Sequence, residues 1–377
     1  MKISHVESVV LGNLHFVRVR SDTGLTGVGQ SACWAYPDAV DAVVASFRSY
    51  LVGADPLKIE DNWHQMFRMG PFRSAVITAA ISAIDIALWD LFGKVTGQPV
   101  WQLLGGQCRD RLRLMRLIVG PDDPVTIAAA VRRAVDDGYT AIKFDPLPGN
   151  YADLALIALV ERVVENVRAA RDIAGTQVDL VLEFHRSLTP LQIKPVLDAV
   201  APFRPLFIED PIQIDSIAAQ GEIARNAPCP VALGERLNSL WEFSEQIASG
   251  GPIYLRADVG LAGGISHCRK ILALAEAHHL TPVWHNWQGP VITAATAHLC
   301  LAAPNFLVLE YFPEAEEGEG GRGFTSGFRR EGGYLLPSTE PGLGVDFDTA
   351  AITRTNILGR PLHAIPRRHD GSVAFAV

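Results

Sequence analysis

Glu183, Glu209 and Glu235 stand 26 residues apart, and each closes an apolar run: VDLVLE, PLFIE and VALGE. Asp258 (in LRADVG), His285 (in PVWH) and Glu310 (in FLVLE) continue the series at similar intervals. A repeat of about 25 residues accommodates one strand, one helix and two loops. A polar group placed each time at the C-terminal end of the strand describes the catalytic face of a (β/α) barrel. Carboxylates ending three successive strands converge, and converging oxygens suit a hard cation such as Mg²⁺. The expected metal ligands are therefore Glu183, Glu209 and Glu235, and the chain reads as a metal-dependent enzyme.

The elements that must position these groups are legible in outline. Residues 1–111 read as an α+β capping domain. A strand pair turns at Asp22-Thr23-Gly24, helical stretches follow over 38–67 and 73–95, and Pro99 marks the limit of the second. From about residue 112 strand and helix alternate, with strands expected at 112–119, 139–144, 178–184, 206–209, 230–235, 253–258, 281–285 and 306–310. The fold class is thus α/β, a modified TIM-type (β/α) barrel over 112–345, with 346–377 returning to the cap. The glycine-rich, acidic stretch 313–333 reads as a surface loop.

Bulk composition narrows the classes. With 377 residues, 48% hydrophobic and 20% charged, the chain fits one barrel plus an accessory domain. A net charge of −8 leaves no basic footprint for nucleic acid. No uninterrupted apolar run reaches the roughly 18 residues of a membrane span, because Asp85 and Asp90 break the best candidate. The N-terminus carries no signal-peptide pattern. The five scattered cysteines form no CxxC pair and read as reduced thiols of a cytoplasmic protein.

Several strings then converge on one family. SAIDIALWDLFGK (82–94), QPVWQLLGG (98–106), TGLTGVGQ (23–30), the glutamate ladder and EPGLGVDFD (340–348) resemble the mandelate racemase/muconate-lactonising branch of the enolase superfamily. The resemblance spans nearly the whole chain. It implies Mg²⁺, abstraction of a proton next to a carboxylate, a small-molecule substrate and a symmetric homo-oligomer. Within the branch the chain most resembles acid-sugar dehydratases of the galactonate dehydratase type, on Glu183-Phe184-His185, the Asp258/His285 pair, PLFIEDP, GER, AGGI and Glu310. It departs from that pattern twice. His185-Arg186-Ser187 stands where the family has His-Gly-Arg, and Asp210 stands where the family has a second glutamate.

Racemases of the branch carry Lys-x-Lys on the second strand; here that place reads Lys143-Phe144-Asp145, without the second lysine. The base is then expected to be histidine, the side chain best suited to proton transfer near neutral pH. His285 ends the seventh strand with Asp258 beside it to orient and charge-balance its ring. His185 ends the third, four strands away and so across the barrel. One takes the α-proton and the other protonates a leaving hydroxyl. Glu310 is expected to touch the substrate carboxylate opposite the metal. Lys143, Asp145 and the cap residue Trp34 are the expected substrate contacts, with Tyr36, Phe72 and Arg73 as further cap candidates.

Other features take bland readings. His267, His278 and His279 belong to a helix surface or its packing; Gly260, Gly263 and Gly264 permit a tight turn and lack a dinucleotide pattern; residues 314–319 are solvated. The expected activity is a Mg²⁺-dependent sugar-acid dehydratase yielding a 2-keto-3-deoxy acid. The rivals are an epimerase or lactone cycloisomerase with the same chemistry, and a non-catalytic sugar-acid-binding barrel.

Overall fold

The structure, a computed structural model, describes residues 1–352, 367–368 and 370–374. The chain begins with an antiparallel sheet of β1 (Ile3–Leu11), β2 (Leu14–Ser21) and β3 (Thr26–Ser31), and the β2–β3 turn passes through Gly24 at φ 88°. The helical stretch expected over 38–67 is two helices, α1 (Pro37–Leu51) and α2 (Ile59–Arg68). Gly53 breaks it, taking φ 90°, which only glycine adopts without cost.

The third cap helix, α3 (Ala75–Thr96), starts on the Ser74 side-chain cap and ends at Gly97 in the left-handed conformation. By length and composition alone α3 could cross a bilayer, but it is the core of the cap, packed on β3, β2 and α1. Its two aspartates are buried and bonded inside the fold. Asp90 accepts the N–H groups of Val28 and Leu343 and pairs with Lys94 at 2.7 Å. Asp85 accepts the N–H of Ser266 at 3.0 Å, at the start of a barrel helix. Gly264 makes that approach possible, since a Cβ there would lie 2.3 Å from the Asp85 carboxylate.

All eight expected barrel strands are present and parallel: β4 (Leu112–Leu117), β5 (Ala141–Phe144), β6 (Asp179–Glu183), β7 (Phe207–Glu209), β8 (Val231–Leu233), β9 (Tyr254–Leu255), β10 (Thr281–Pro282) and β11 (Leu309–Tyr311). β11 returns to pair with β4; among the described residues the seam between β10 and β11 carries no ladder. A helix follows each of β4 to β10, whereas β11 is followed only by the single turn Pro313–Glu316.

The stretch expected as a loop over 313–333 is instead structured. β12 (Phe324–Ser326) precedes a hairpin of β13 (Arg329–Glu331) and β14 (Tyr334–Leu336), and β14 adds antiparallel to β4. Gly332 at φ 55° makes the hairpin turn, and Arg330 pairs with Glu317 at 2.5 Å, so basic residues of the hairpin answer the acidic run. β15 (Val345–Phe347) pairs with β12 and sets the Phe347 ring 4.7 Å from Phe16 of the cap. Most of 346–377, the segment expected to return to the cap, lies outside the described residues.

Met115, Ala141, Val181, Phe207, Ala232, Val283 and Val308 fill the barrel as one buried apolar layer. Because strand side chains alternate, the residue two positions further on points the same way. That places Lys143, Glu183, Glu209, His285 and Glu310 directly above a dry floor.

Candidate active site

The polar layer is buried almost completely. Glu183, Glu209, Glu235 and Glu310 are each exposed by no more than 2%. Glu183 and Glu209 are register partners at the ends of β6 and β7, and Glu235 lies in the turn after β8. One oxygen from each of these three glutamates lies within 4.8 Å of the others. Glu209 Oε2 is buried with no hydrogen-bond partner. Such an orphaned carboxylate oxygen is costly. Facing two more carboxylates, it fits a hard divalent cation held by Glu183, Glu209 and Glu235.

Two cations knit the acids together from below. Lys143 Nζ lies 2.9 Å from Glu183, 3.0 Å from Glu209 and 2.7 Å from Glu310. An ammonium has three protons, so these partners occupy all of them. Lys143, expected as a substrate contact, is paired with these three glutamates in this structure. Arg256 spans Glu209 at 2.7 Å and Glu310 at 2.5 Å, and donates to the carbonyls of Val283 and Trp284. The sequence reading overlooked Arg256. It lies two residues before Asp258 in the same quoted string, and strand alternation was the available signal.

Electrostatics divides the carboxylates. Burial opposes the charge on Glu183, but Lys143 and His185 outweigh it and hold the carboxyl well below the usual range. Glu235 is held low in the same way, burial being overcome by Arg236 and Arg186. Burial also works against Glu310, but Arg256 and Lys143 bring it down to about 2. Glu310 is therefore an ionised, bridged acid that also accepts the N–H of Asn286 at 2.9 Å. Glu209 goes the other way: burial pushes it well above the usual range, and Glu183 adds to that while Arg256 opposes it.

His285 lies beyond β10, its Nδ1 2.6 Å from Asp258 Oδ2 and its Nε2 3.5 Å from Glu235 Oε2. His185 lies beyond β6, with Nδ1 2.9 Å from Asp145 Oδ2. Asp145, expected to bind substrate, is thus the partner of a histidine. Trp34 sits in the cap loop after β3, edge-on to Trp287 at 6.2 Å between ring centroids. That loop docks on the barrel through Ala32, whose N–H reaches the carbonyl of Gly260 and whose carbonyl accepts from Gln288.

The histidines read as packing or surface residues have those places in the structure. His267 stacks on Trp63 at 3.5 Å as a packing residue, and His278 and His279 are exposed. Glu316, expected to be solvated, is hydrogen-bonded with Thr293 at 2.5 Å, and burial pushes its carboxyl up to about 8.

Comparison with known proteins decides the family. Residues 2–105 match the family described as Mandelate racemase / muconate lactonizing enzyme, N-terminal domain, and residues 126–351 match Enolase C-terminal domain-like. The chain belongs to the mandelate racemase/muconate lactonizing branch of the enolase superfamily. It is 35% identical over 95% of both chains to a D-galactonate dehydratase of Verminephrobacter eiseniae, and 33% identical over the same share to one of Ralstonia pickettii. Among solved structures, an enolase of Agrobacterium radiobacter, provisionally named a galactarate dehydratase and bound to sodium and L-malate, matches with a TM-score of 0.91. It is 28% identical and both chains are fully covered. An enolase of the mandelate racemase subgroup from Agrobacterium tumefaciens matches at TM-score 0.84 and 30% identity, over 93% of this chain and 96% of that one.

Within this enolase-superfamily frame, the two departures from the dehydratase pattern are one feature. Arg186 Nη1 lies 2.5 Å from both Asp210 and Glu235, and the Arg186 N–H donates to the carbonyl of Asp210. His185, Arg186 and Asp210 all take positive φ, at 44°, 64° and 40°. A side chain in that region costs about 1–2 kcal/mol. The guanidinium between two buried carboxylates offsets that cost. Burial, then Glu235, pushes Asp210 up to about 6 against the pull of Arg186.

Proposed function

We propose that the protein is a Mg²⁺-dependent sugar-acid dehydratase that converts an aldonate into a 2-keto-3-deoxy acid. The observation that carries this reading is the Asp258–His285 pair, set with its Nε2 3.5 Å from the candidate ligand Glu235. Across the barrel stands a second histidine, His185. The D-galactonate dehydratase relatives support the same class of substrate.

Loss of a proton α to a carboxylate puts a second negative charge on an anionic group. A divalent cation, when bound by Glu183, Glu209 and Glu235, supplies Lewis-acid stabilisation of that charge. His285 Nε2 takes the C2 proton while Asp258 holds the ring and balances its new charge. His185 gives a proton to the C3 hydroxyl, which leaves as water, and the enol then ketonises. Glu310, clamped by Arg256 and Lys143, fixes the wall beside the substrate carboxylate. Trp34 and the cap loop face the distal hydroxyls.

Stereoisomeric aldonates and aldarates, galactonate first, should be assayed with Mg²⁺ for 2-keto-3-deoxy products. Keto-acid from any aldonate supports the class. Clean epimerisation or lactone isomerisation without keto-acid removes the lyase reading.

A further inference from the structure

The barrel mouth holds two histidine–aspartate pairs built to one plan. In each, the aspartate follows one strand and the histidine follows the next: Asp145 after β5 with His185 after β6, and Asp258 after β9 with His285 after β10. In each, Oδ2 faces the ring Nδ1, at 2.9 Å for Asp145 and 2.6 Å for Asp258. In each, Oδ1 accepts the backbone N–H two residues on, from Leu147 at 2.8 Å and from Gly260 at 2.8 Å. That local turn bond pins the carboxylate before the histidine arrives. A carboxylate only accepts, so the proton on Nδ1 belongs to the ring, and Nε2 is left facing the cavity: bare in the neutral ring that takes a proton, and carrying the transferable proton in the imidazolium that gives one.

From this match we propose that Asp145 is the positioning residue of His185, fixing its tautomer and aim as Asp258 does for His285. The proposal rests on the dehydratase reading and deepens it. Asp145 touches no reacting atom; it acts through the ring. Its effect therefore falls on the step that needs His185, departure of the C3 hydroxyl. Removal of the C2 proton is left to His285 across the barrel, and Asp145 bonds to His185 and Leu147 rather than to any of the three candidate metal ligands. A substrate contact at Asp145 would behave differently, raising KM and leaving the ring alone.

The test compares Asp145→Asn and Asp145→Ala with the wild-type protein, all carrying Mg²⁺. Asparagine keeps the shape and the turn bond to Leu147 but presents an amide donor to Nδ1, which reverses the ring's neutral tautomer. The expected result is a fall of roughly 10–100-fold in keto-acid formation for both variants, within the range of a lost proton-transfer group. Exchange of the C2 proton with deuterated solvent and the Mg²⁺ affinity should stay within about threefold of wild type. In ¹⁵N-histidine spectra, the resonances assigned by loss in His185→Asn should change tautomer in Asp145→Asn. An unchanged His185 tautomer overturns the proposal, as does a parallel fall of elimination, exchange and metal affinity. A rise in KM at constant kcat returns Asp145 to substrate binding and also overturns it. If no sugar acid is dehydrated by the wild-type protein, the function has failed, and the ¹⁵N spectrum still decides the pairing.

Discussion

The two histidine–aspartate pairs share a geometry but not an environment. The His285 and Asp258 side chains are 5% and 2% exposed, whereas those of His185 and Asp145 are 28% and 33% exposed. The first pair is sealed beneath the cap loop and the second borders the opening. Charge–charge interactions are several times stronger away from water than at a wet surface. A very weak carbon acid is best deprotonated on the sealed side, where Asp258 acts at full strength on the developing imidazolium. The open side suits the step whose product is itself a water molecule. The division of roles proposed for the histidines follows from this asymmetry.

The comparison breaks most sharply at His285. His285→Asn should lower both keto-acid formation and C2 exchange by roughly 10²–10⁴-fold, the scale of general-base catalysis. Exchange that survives in a deuterium NMR assay would exchange the two roles. Glu209 lies between the sides and serves both. Glu209→Gln should weaken Mg²⁺ binding, read by titration calorimetry, by more than the roughly 10–100-fold that loss of a partner of a metal ligand costs. Chelation of the wild-type protein should abolish activity reversibly.

Sharpening the comparison on the open side, His185→Asn should cut dehydration by roughly 10²-fold while C2 exchange continues. Next to it, Arg186→Gly relieves the left-handed backbone, about 1–2 kcal/mol, but orphans Asp210 and leaves Glu235 to Arg236 and His285. Breaking a buried ion pair costs about 3–5 kcal/mol. The expected net loss of about 2 kcal/mol, by the same two costs, is measurable in a denaturant titration. A gain in stability would mean that the guanidinium contributes nothing to the fold.

A pH-dependent effect lies away from both pairs, at Glu316, whose carboxyl is raised from 4.5 to about 8 by burial. The unfolded chain loses this proton first. The contribution is therefore complete below pH 4.5, declines above it and is lost as the pH passes about 8. Glu316→Gln should flatten that part of the stability–pH curve, measured as midpoint shifts between pH 5 and 8.

Much of this was readable in the chain because barrel strands put their information at fixed intervals. The glutamate ladder, the eight strands and the His285–Asp258 neighbourhood all follow from spacing. What spacing could not show was who pairs with whom at one height. Lys143 lies on β5 and Asp145 just past its end, two residues on, yet one meets three glutamates and the other a histidine. Arg256 meets its partners Glu209 and Glu310 on strands distant in sequence, so its spacing alone does not mark it. The contact between Arg186 and Asp210 joins turns after different strands, which no local pattern reports. The stretch 313–333 is no solvated loop because Gly332 turns a hairpin, β14 joins β4 and Arg330 pairs with Glu317, contacts that a local count of glycines and acids does not report.

The grip of the cap on residues 260–266 has a mechanical consequence. Gly260, Gly263 and Ser266 are held by Ala32, Trp63, Ser82 and Asp85, and the same turn begins at Asp258. The cap therefore does not rest on the barrel as an interchangeable lid; it is part of the mounting of the proposed base. Exchanging whole caps between related barrels would misalign His285 before any new sugar was tried. Grafting only the tip around Trp34, with α3 left seated in its socket, is the route by which specificity can be redirected while the proton-transfer hardware keeps its alignment.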